Sequence, residues 1–383
     1  MASISQSHFF FFTILLYITI LVSNVVAQNK PQTFQIPIKK DTQTLQYYAS
    51  LRIGTPPTDV DTVLDLGGRF LSLACDKFKS STRRSFPCAA SEYCQTVSNS
   101  TTCGANDTCS VTAFNPFNKN SVLTGVLTED VVKSGNLVGL AKGTNGILGL
   151  GKSSELRIAL TNSIPLKFAL CLPSSKSAGE LFIGGVVPEL SQEISFTLIA
   201  SSAGSEYYVY VNSIKIDKRV VHFDTTLLNI NQNGVGGTKI STATPYGILH
   251  TVIYNAVVGD FVKRAGERNL THLAAVAPFG ACFSTKGVRW TKGGPRVPMI
   301  ELELPGNMVV WTWKIHGANS MVRVNKDVMC LGFVDGGTNG AAIVLGGHIL
   351  EDNYLEFDMT RSVLGFTSSL LPQGKSCANY RNI

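Results

Sequence analysis

Apolar and polar residues alternate along most of this chain in short runs that end at Gly, Pro, Asn or Asp, a period-two pattern that predicts strands. Phe34-Gln35-Ile36-Pro37-Ile38 is the first such run, inside a leading segment 28–46, and further strands are predicted around 47–54 and 60–66. Residues 111–132 read as a hairpin and 167–187 as another, and Tyr207-Tyr208-Val209-Tyr210-Val211 through Ile214-Lys215-Ile216 restarts the alternation. Tyr207-Tyr208 echoes Tyr47-Tyr48, so the second half of the chain is expected to repeat the first, with a seam between about 195 and 206. One helix interrupts the pattern, with Thr251 as its cap, Ile253, Val257 and Phe261 on one face and Lys263-Arg264 near its end.

Composition narrows the class. The 383 residues, 44% of them hydrophobic, suffice for one large core or two ordinary ones. Only 15% are charged, and 35 glycines punctuate runs rich in Val, Ile, Thr and Phe, which points to an all-β protein with a few short helices. Residues 9–22 are nearly all apolar, and Val25-Val26-Ala27 offers the small residues of a cleavage site. Residues 1–27 are therefore expected to be a secretory signal, although no Lys or Arg precedes the apolar run. A membrane span needs about 20 apolar residues, and this run is shorter.

The signal holds no Lys, Arg, Asp or Glu, so the mature chain keeps the formal +7. Lys77, Lys79, Arg83 and Arg84 fall in a Ser-rich loop without a nucleic-acid motif and read as a solvated surface. Outside the cell, a cationic surface favours acidic polysaccharide or an acidic partner.

All nine cysteines follow the signal, which in an exported chain predicts disulfides rather than metal or redox chemistry. No Cys-x-x-Cys spacing occurs and the histidines are scattered, so neither a metal nor a cofactor is expected. Cys88, Cys94, Cys103 and Cys109 lie in a long loop, 76–110, that needs stapling; three pairings are open. An odd count leaves at least one thiol over. Acceptor triplets at Asn99, Asn106 and Asn269 predict glycosylated surface loops.

The candidate chemistry sits at Val63-Leu64-Asp65-Leu66-Gly67-Gly68, where an apolar strand delivers a carboxylate to a turn that glycine leaves open to another segment. With Tyr47-Tyr48 and Ile53-Gly54-Thr55-Pro56-Pro57 upstream and Ile147-Leu148-Gly149 downstream, this stretch resembles the first half-site of the pepsin-like aspartic proteases. The close of the chain, with Val344-Leu345-Gly346-Gly347, Phe357-Asp358 and Gly365-Phe366, resembles the end of their second lobe. The resemblance implies a bilobal fold, with a first lobe over 28–200, short around 132–146, and a second over 201–383. It also implies a second Asp beyond the Gly-rich turn at 233–237, where this chain has Ser241-Thr242-Ala243.

Two carboxylates about 3 Å apart share one proton and divide the acid and base work. A serine hydroxyl can do neither. Leu66 also replaces the hydroxyl that braces such a dyad in the family, and no Tyr between 94 and 206 supplies the flap residue. Asp65 and Ser241 are thus expected to be relic positions in a chain that is not an enzyme, and no Ser-His-Asp or Cys-His substitute is legible.

The phrases Ala277-Pro278-Phe279-Gly280-Ala281-Cys282, Gly317-Ala318-Asn319-Ser320, Cys330-Leu331-Gly332-Phe333 and Ser376-Cys377-Ala378-Asn379 are more particular. They resemble the plant group of inactive homologues: xyloglucan-specific endoglucanase inhibitors, xylanase inhibitors, the extracellular dermal glycoprotein and legume basic globulins. That resemblance implies bridges Cys282–Cys330 and Cys171–Cys377, with Cys75 as the unpaired thiol. It also implies a secreted monomer that blocks a microbial endoglucanase or xylanase by filling its cleft with second-lobe loops. The candidate inhibitor loop carries Arg289, Trp290, Lys292 and Arg296, an aromatic anchor among cations that suits the paired carboxylates of a glycosidase.

The family places Arg where this chain has Lys292, which cannot reproduce a two-pronged contact. It places another where Thr338-Asn339-Gly340-Ala341-Ala342 carry no charge. Two other readings stay open. One is a non-inhibitory extracellular binding or storage protein, holding peptide or polysaccharide, with the basic hairpin merely exposed. The other is an active acid endopeptidase, which Ser241 and the missing flap tyrosine oppose. Location in the extracellular space or cell wall, with no nucleic acid and no membrane after signal removal, is expected in each case.

Overall fold

The alternating runs form strands because each places one row of side chains against a core and the next against solvent or a second layer. The computed structural model describes residues 33–74, 77–88, 94, 101–118, 122–128, 132–134, 139–154, 165–184, 194–202, 204–231 and 234–378. The expected signal, Cys75 and Asn99 lie outside them. Among the described residues, no helix is long and apolar enough to cross a membrane.

A 14-stranded sheet runs through the molecule. Its middle holds the leading strand Phe34–Lys40, the hairpin Tyr47–Ile53 and Thr58–Asp65, then Gly146–Gly149 and Leu71–Ala74. One flank continues through Val132–Ser134, Val122–Leu127, Thr108–Phe114 and Thr101–Gly104. The other passes through Gly179–Ile183 and Lys167–Cys171 to the C-terminal strands Tyr354–Asp358 and Val363–Phe366, ending at Ser195–Leu198. Strands from both ends of the chain therefore share one sheet. Phe357 stacks on Phe168 at 4.6 Å and meets Tyr207 at 4.5 Å, so leading, middle and closing segments share one core.

The duplication is visible in strand order. Tyr47–Ile53, Thr58–Asp65, Gly146–Gly149 and Leu71–Ala74 recur as Tyr207–Val209, Thr238–Ile240, Ile343–Leu345 and Gly247–Leu249. In each set the second strand runs parallel to the third and the third antiparallel to the fourth. The two sets also exchange tyrosines. Tyr207 donates its hydroxyl to Leu150 O at 2.9 Å, and Tyr47 donates to Glu351 Oε1 at 2.7 Å while its ring closes on Gly347.

The helix Thr251–Glu267 buries Ile253, Val257 and Phe261, spaced as one helical face requires. Its cap is His250, whose Nδ1 accepts from Val252 N at 3.3 Å, and not Thr251. Thr251 is drawn away by Asp335, to which its hydroxyl donates at 2.6 Å. The segment 76–110 is also less irregular than its composition suggests. Thr101–Gly104 pairs with Thr108–Phe114, and Cys103 faces Cys109 across that ladder. Their sulfurs diverge to give interleaved bridges Cys88–Cys103 and Cys94–Cys109. Two more bridges join Cys282 to Cys330 and Cys171 to Cys377.

Candidate functional site

Asp65 ends its strand opposite Gly149 on the parallel neighbour. In the second set Ile240 lies opposite Leu345, and Ser241 N donates to Leu345 O at 3.0 Å. One residue further on, Ser241 therefore holds in the second lobe the place of Asp65 in the first, with Gly346 matching Gly149. Local bonding repeats too. Asp65 Oδ1 accepts from Gly67 N at 2.8 Å, and Ser241 Oγ accepts from Ala243 N at 3.2 Å. Both side chains are buried, at 6% and 8% exposure.

Thr242 clasps the two half-sites together. Its hydroxyl donates to Leu64 O at 2.8 Å and accepts from Leu66 N at 3.2 Å. Leu66 stands where a reciprocal hydroxyl would sit, so the clasp is one-sided.

Burial is the main cause pushing Asp65 up to about 6, with the Gly67 and Gly68 N–H groups opposing it. Glu206 raises it further and Lys239 lowers it. Glu206 reaches this corner across Gly67, where a Cβ would lie 3.2 Å from Glu206 Cγ. Its carboxylate does not replace the missing acid, since it is paired with Lys239 at 2.8 Å and accepts from Tyr208. Glu206 escapes a sequence reading because it precedes the repeated tyrosines, where the first lobe has Gln46.

The basic loop is a separate unit. Trp290–Thr291 and Gly294–Pro295 pair around the two-residue turn Lys292-Gly293. The hairpin is seated on the short helix Gly317–Ser320 by Ala318 N donating to Gly293 O at 2.8 Å. The fit requires glycine on both sides: a Cβ on Gly294 would lie 2.2 Å from Ala318 N, and one on Gly317 2.0 Å from Pro295 O. Arg289, Trp290, Lys292 and Arg296 are all exposed, and the Arg323 guanidinium stands 5.8 Å from the Trp290 ring. Lys292, though exposed, lies with its ammonium group over the bare face of Gly374. No hydrogen bond or ion pair among the described residues links this hairpin to Asp65 or Ser241.

Residues 47–185 match the family described as Xylanase inhibitor N-terminal, and residues 206–368 the one described as Xylanase inhibitor C-terminal. The chain belongs to this xylanase-inhibitor family of pepsin-like proteins. It is 38% identical to the probable aspartic proteinase GIP2 of Nicotiana benthamiana over 99% of both chains, and 34% identical to gamma conglutin 1 of Prunus dulcis over 99% of this chain and 97% of that one. Among solved structures it is similar to edgp, with a TM-score of 0.83, 38% identity and coverage of 91% of this chain and 98% of that one. The basic 7S globulin from soybean follows at 0.78 and 27%, over 91% and 99%.

Of the other sequence-predicted positions, Asn106 and Asn269 are exposed and left-handed, at φ 63° and 59°. Asn tolerates that backbone better than most residues. No group of His, Cys, Asp and Glu among the described residues is arranged to hold a metal ion.

Proposed function

We propose that the protein is a secreted, proteolytically inactive inhibitor of microbial cell-wall glycoside hydrolases of the endoglucanase or xylanase type. The observation that carries this reading is the hairpin of residues 289–296, a small, exposed, positively charged projection on a rigid seat. A seat fixed by close backbone contacts presents Arg289, Trp290 and Arg296 from an ordered backbone, which lowers the loop-ordering part of the cost of binding. The cations suit a cleft that presents two catalytic carboxylates. Loss of proteolysis follows from Ser241: with only Asp65 able to ionise, no proton can be shared across the half-sites.

The test is an inhibition panel of fungal endoglucanases and xylanases, with Lys292→Ala as control. Tight, saturable inhibition of one class supports the reading, and inhibition of none sinks it. Peptide release from a denatured protein at pH 3–5, abolished by pepstatin, would restore an acid endopeptidase instead.

A second reading is a non-inhibitory extracellular binding or storage protein. It is favoured by Lys292, whose ammonium group lies against Gly374, and by the uncharged stretch 338–342. The same panel separates the two.

A further inference from the structure

Four of the cysteines meet in one cluster just beyond the Asp65 turn. Cys88, Cys94 and Cys109 are buried against Phe70, Val111 and Leu127, and Phe70 O accepts from Gly149 N at 3.0 Å. Cys103, on the outermost strand of the large sheet, is exposed. The bridges Cys88–Cys103 and Cys94–Cys109 each span 15 positions and cross, so they tie Cys88 and Cys94 to the hairpin of Thr101–Gly104 and Thr108–Phe114.

Two features make this pairing exchangeable. Cys88 Sγ lies 3.8 Å from Cys94 Sγ, although the two belong to different bridges. That is contact distance, roughly 2 Å longer than a sulfur–sulfur bond. On the other side, Cys103 and Cys109 are directly opposed on the ladder. Cys109 N donates to Phe86 O at 3.1 Å, so its amide points away from Cys103 and the two form a non-hydrogen-bonded pair. Such a pair has Cα atoms about 4.5 Å apart and side chains on one face, inside the range a disulfide spans. Each cysteine therefore has a second partner within reach. The alternative pairing leaves Cys88, Cys94 and Cys109 in the same cluster, and only Cys103 has to turn.

We propose that the first lobe carries a thiol-triggered switch between this crossed pairing and a local one, Cys88–Cys94 with Cys103–Cys109. The trigger is a low-molecular-weight thiol such as glutathione, whose thiolate attacks Cys103 Sγ, the exposed end of its bridge, and expels Cys88 as a thiolate. Cys88 then attacks Cys94 Sγ and expels Cys109. Cys109 attacks Cys103 Sγ in the mixed disulfide and expels the trigger. Three sulfur–sulfur bonds form and three break, so no oxidant or reductant is consumed. The covalent tie from Cys88 and Cys94 to the hairpin is lost, and two longer closed loops become two short ones, which restrain the unfolded chain less. The switch does not depend on hydrolase inhibition.

The test maps the bridges by mass spectrometry in the mature protein carrying Cys75→Ser, which removes the ninth cysteine. Cleavage at Glu92, Val97 and Asp107 puts the four cysteines on separate peptides. In a buffer of reduced and oxidised glutathione, quenched with acid, both local bridges are expected together in at least about a tenth of the molecules, with Cys171–Cys377 and Cys282–Cys330 intact. Without glutathione only the crossed pairing is expected. Cys103→Ser isolates the central step: Cys88 is left as a thiol and should displace Cys109 with no thiol added, making Cys88–Cys94 the major bridge. The glutathione experiment leaves all four cysteines in place, so it decides the question even where that variant folds poorly. Absence of the local bridges in glutathione, Cys94–Cys109 retained in a folded Cys103→Ser, or scrambling that reaches Cys171–Cys377 and Cys282–Cys330 as well, each overturns the switch.

Discussion

The two half-sites share a backbone and differ in their side chains. Each is a parallel strand pair ending at a turn, with the terminal side chain accepting from the N–H two residues on. One presents Asp65-Leu66-Gly67 and the other Ser241-Thr242-Ala243. The clasp survives on the Thr242 side alone, and the acid survives on the Asp65 side alone. The comparison teaches that one frame closes around a carboxylate in one half and a hydroxyl in the other, because strand pairing, exchanged tyrosines and glycine contacts carry it.

The largest test acts on that shared frame. Gly346→Ala would set a Cβ 1.9 Å from Tyr246 O, and Gly149→Ala one 2.6 Å from Phe70 O. Backbone cannot yield as a side chain can, so each should cost more than about 3 kcal/mol in urea unfolding, with Gly346→Ala the worse. A loss below about 0.5 kcal/mol at either site would show that the frame is slack there.

Next comes the lone acid. Asp65 holds its proton more tightly in the folded chain, at about 6 against 3.8. Its contribution to stability is complete below 3.8 and is lost as pH rises through about 6. Asp65→Asn, which keeps an acceptor for Gly67 N–H but cannot ionise, should therefore gain up to about 3 kcal/mol over the parent at pH 7 and nothing below pH 4. Melting curves across that range decide it, and a gain independent of pH would contradict burial as the cause.

Thr242→Val tests the one-sided clasp. Leaving Leu66 N–H and Leu64 O buried and unpaired should cost about 2 kcal/mol, whereas Leu66→Val, which touches no hydrogen bond, should cost only about 1 kcal/mol. Equal losses would mean that the hydroxyl contributes nothing beyond its volume. The smallest effect is expected from Glu206→Gln. Glu206 is 44% exposed, so solvent screens it. Removing its charge should lower the Asp65 midpoint only slightly, read from the carboxyl resonance in NMR.

Much of this was legible in advance, for a physical reason. Strand identity follows from local alternation, so the Asp65 turn, the repeated tyrosines, the buried face of the Thr251–Glu267 helix and Ser241 in place of an acid could all be placed from neighbours in the chain. The helix cap was misread because Thr251 is a good local cap, yet its hydroxyl is claimed by Asp335, 84 positions away. Glu206 stayed hidden for the same kind of reason: it lies beside Asp65 through Gly67, 139 positions away in the chain.

The order of residues determined the strands, the duplication and the absence of a second acid, since each is a property of short contiguous runs. Only the folded molecule decided which cysteines in 88–109 join, that Lys292 lies back over Gly374, and that Thr242 reaches Leu64 and Leu66. Those outcomes depend on distances between segments remote in the chain. Such distances are set by packing, to which local periodicity is blind.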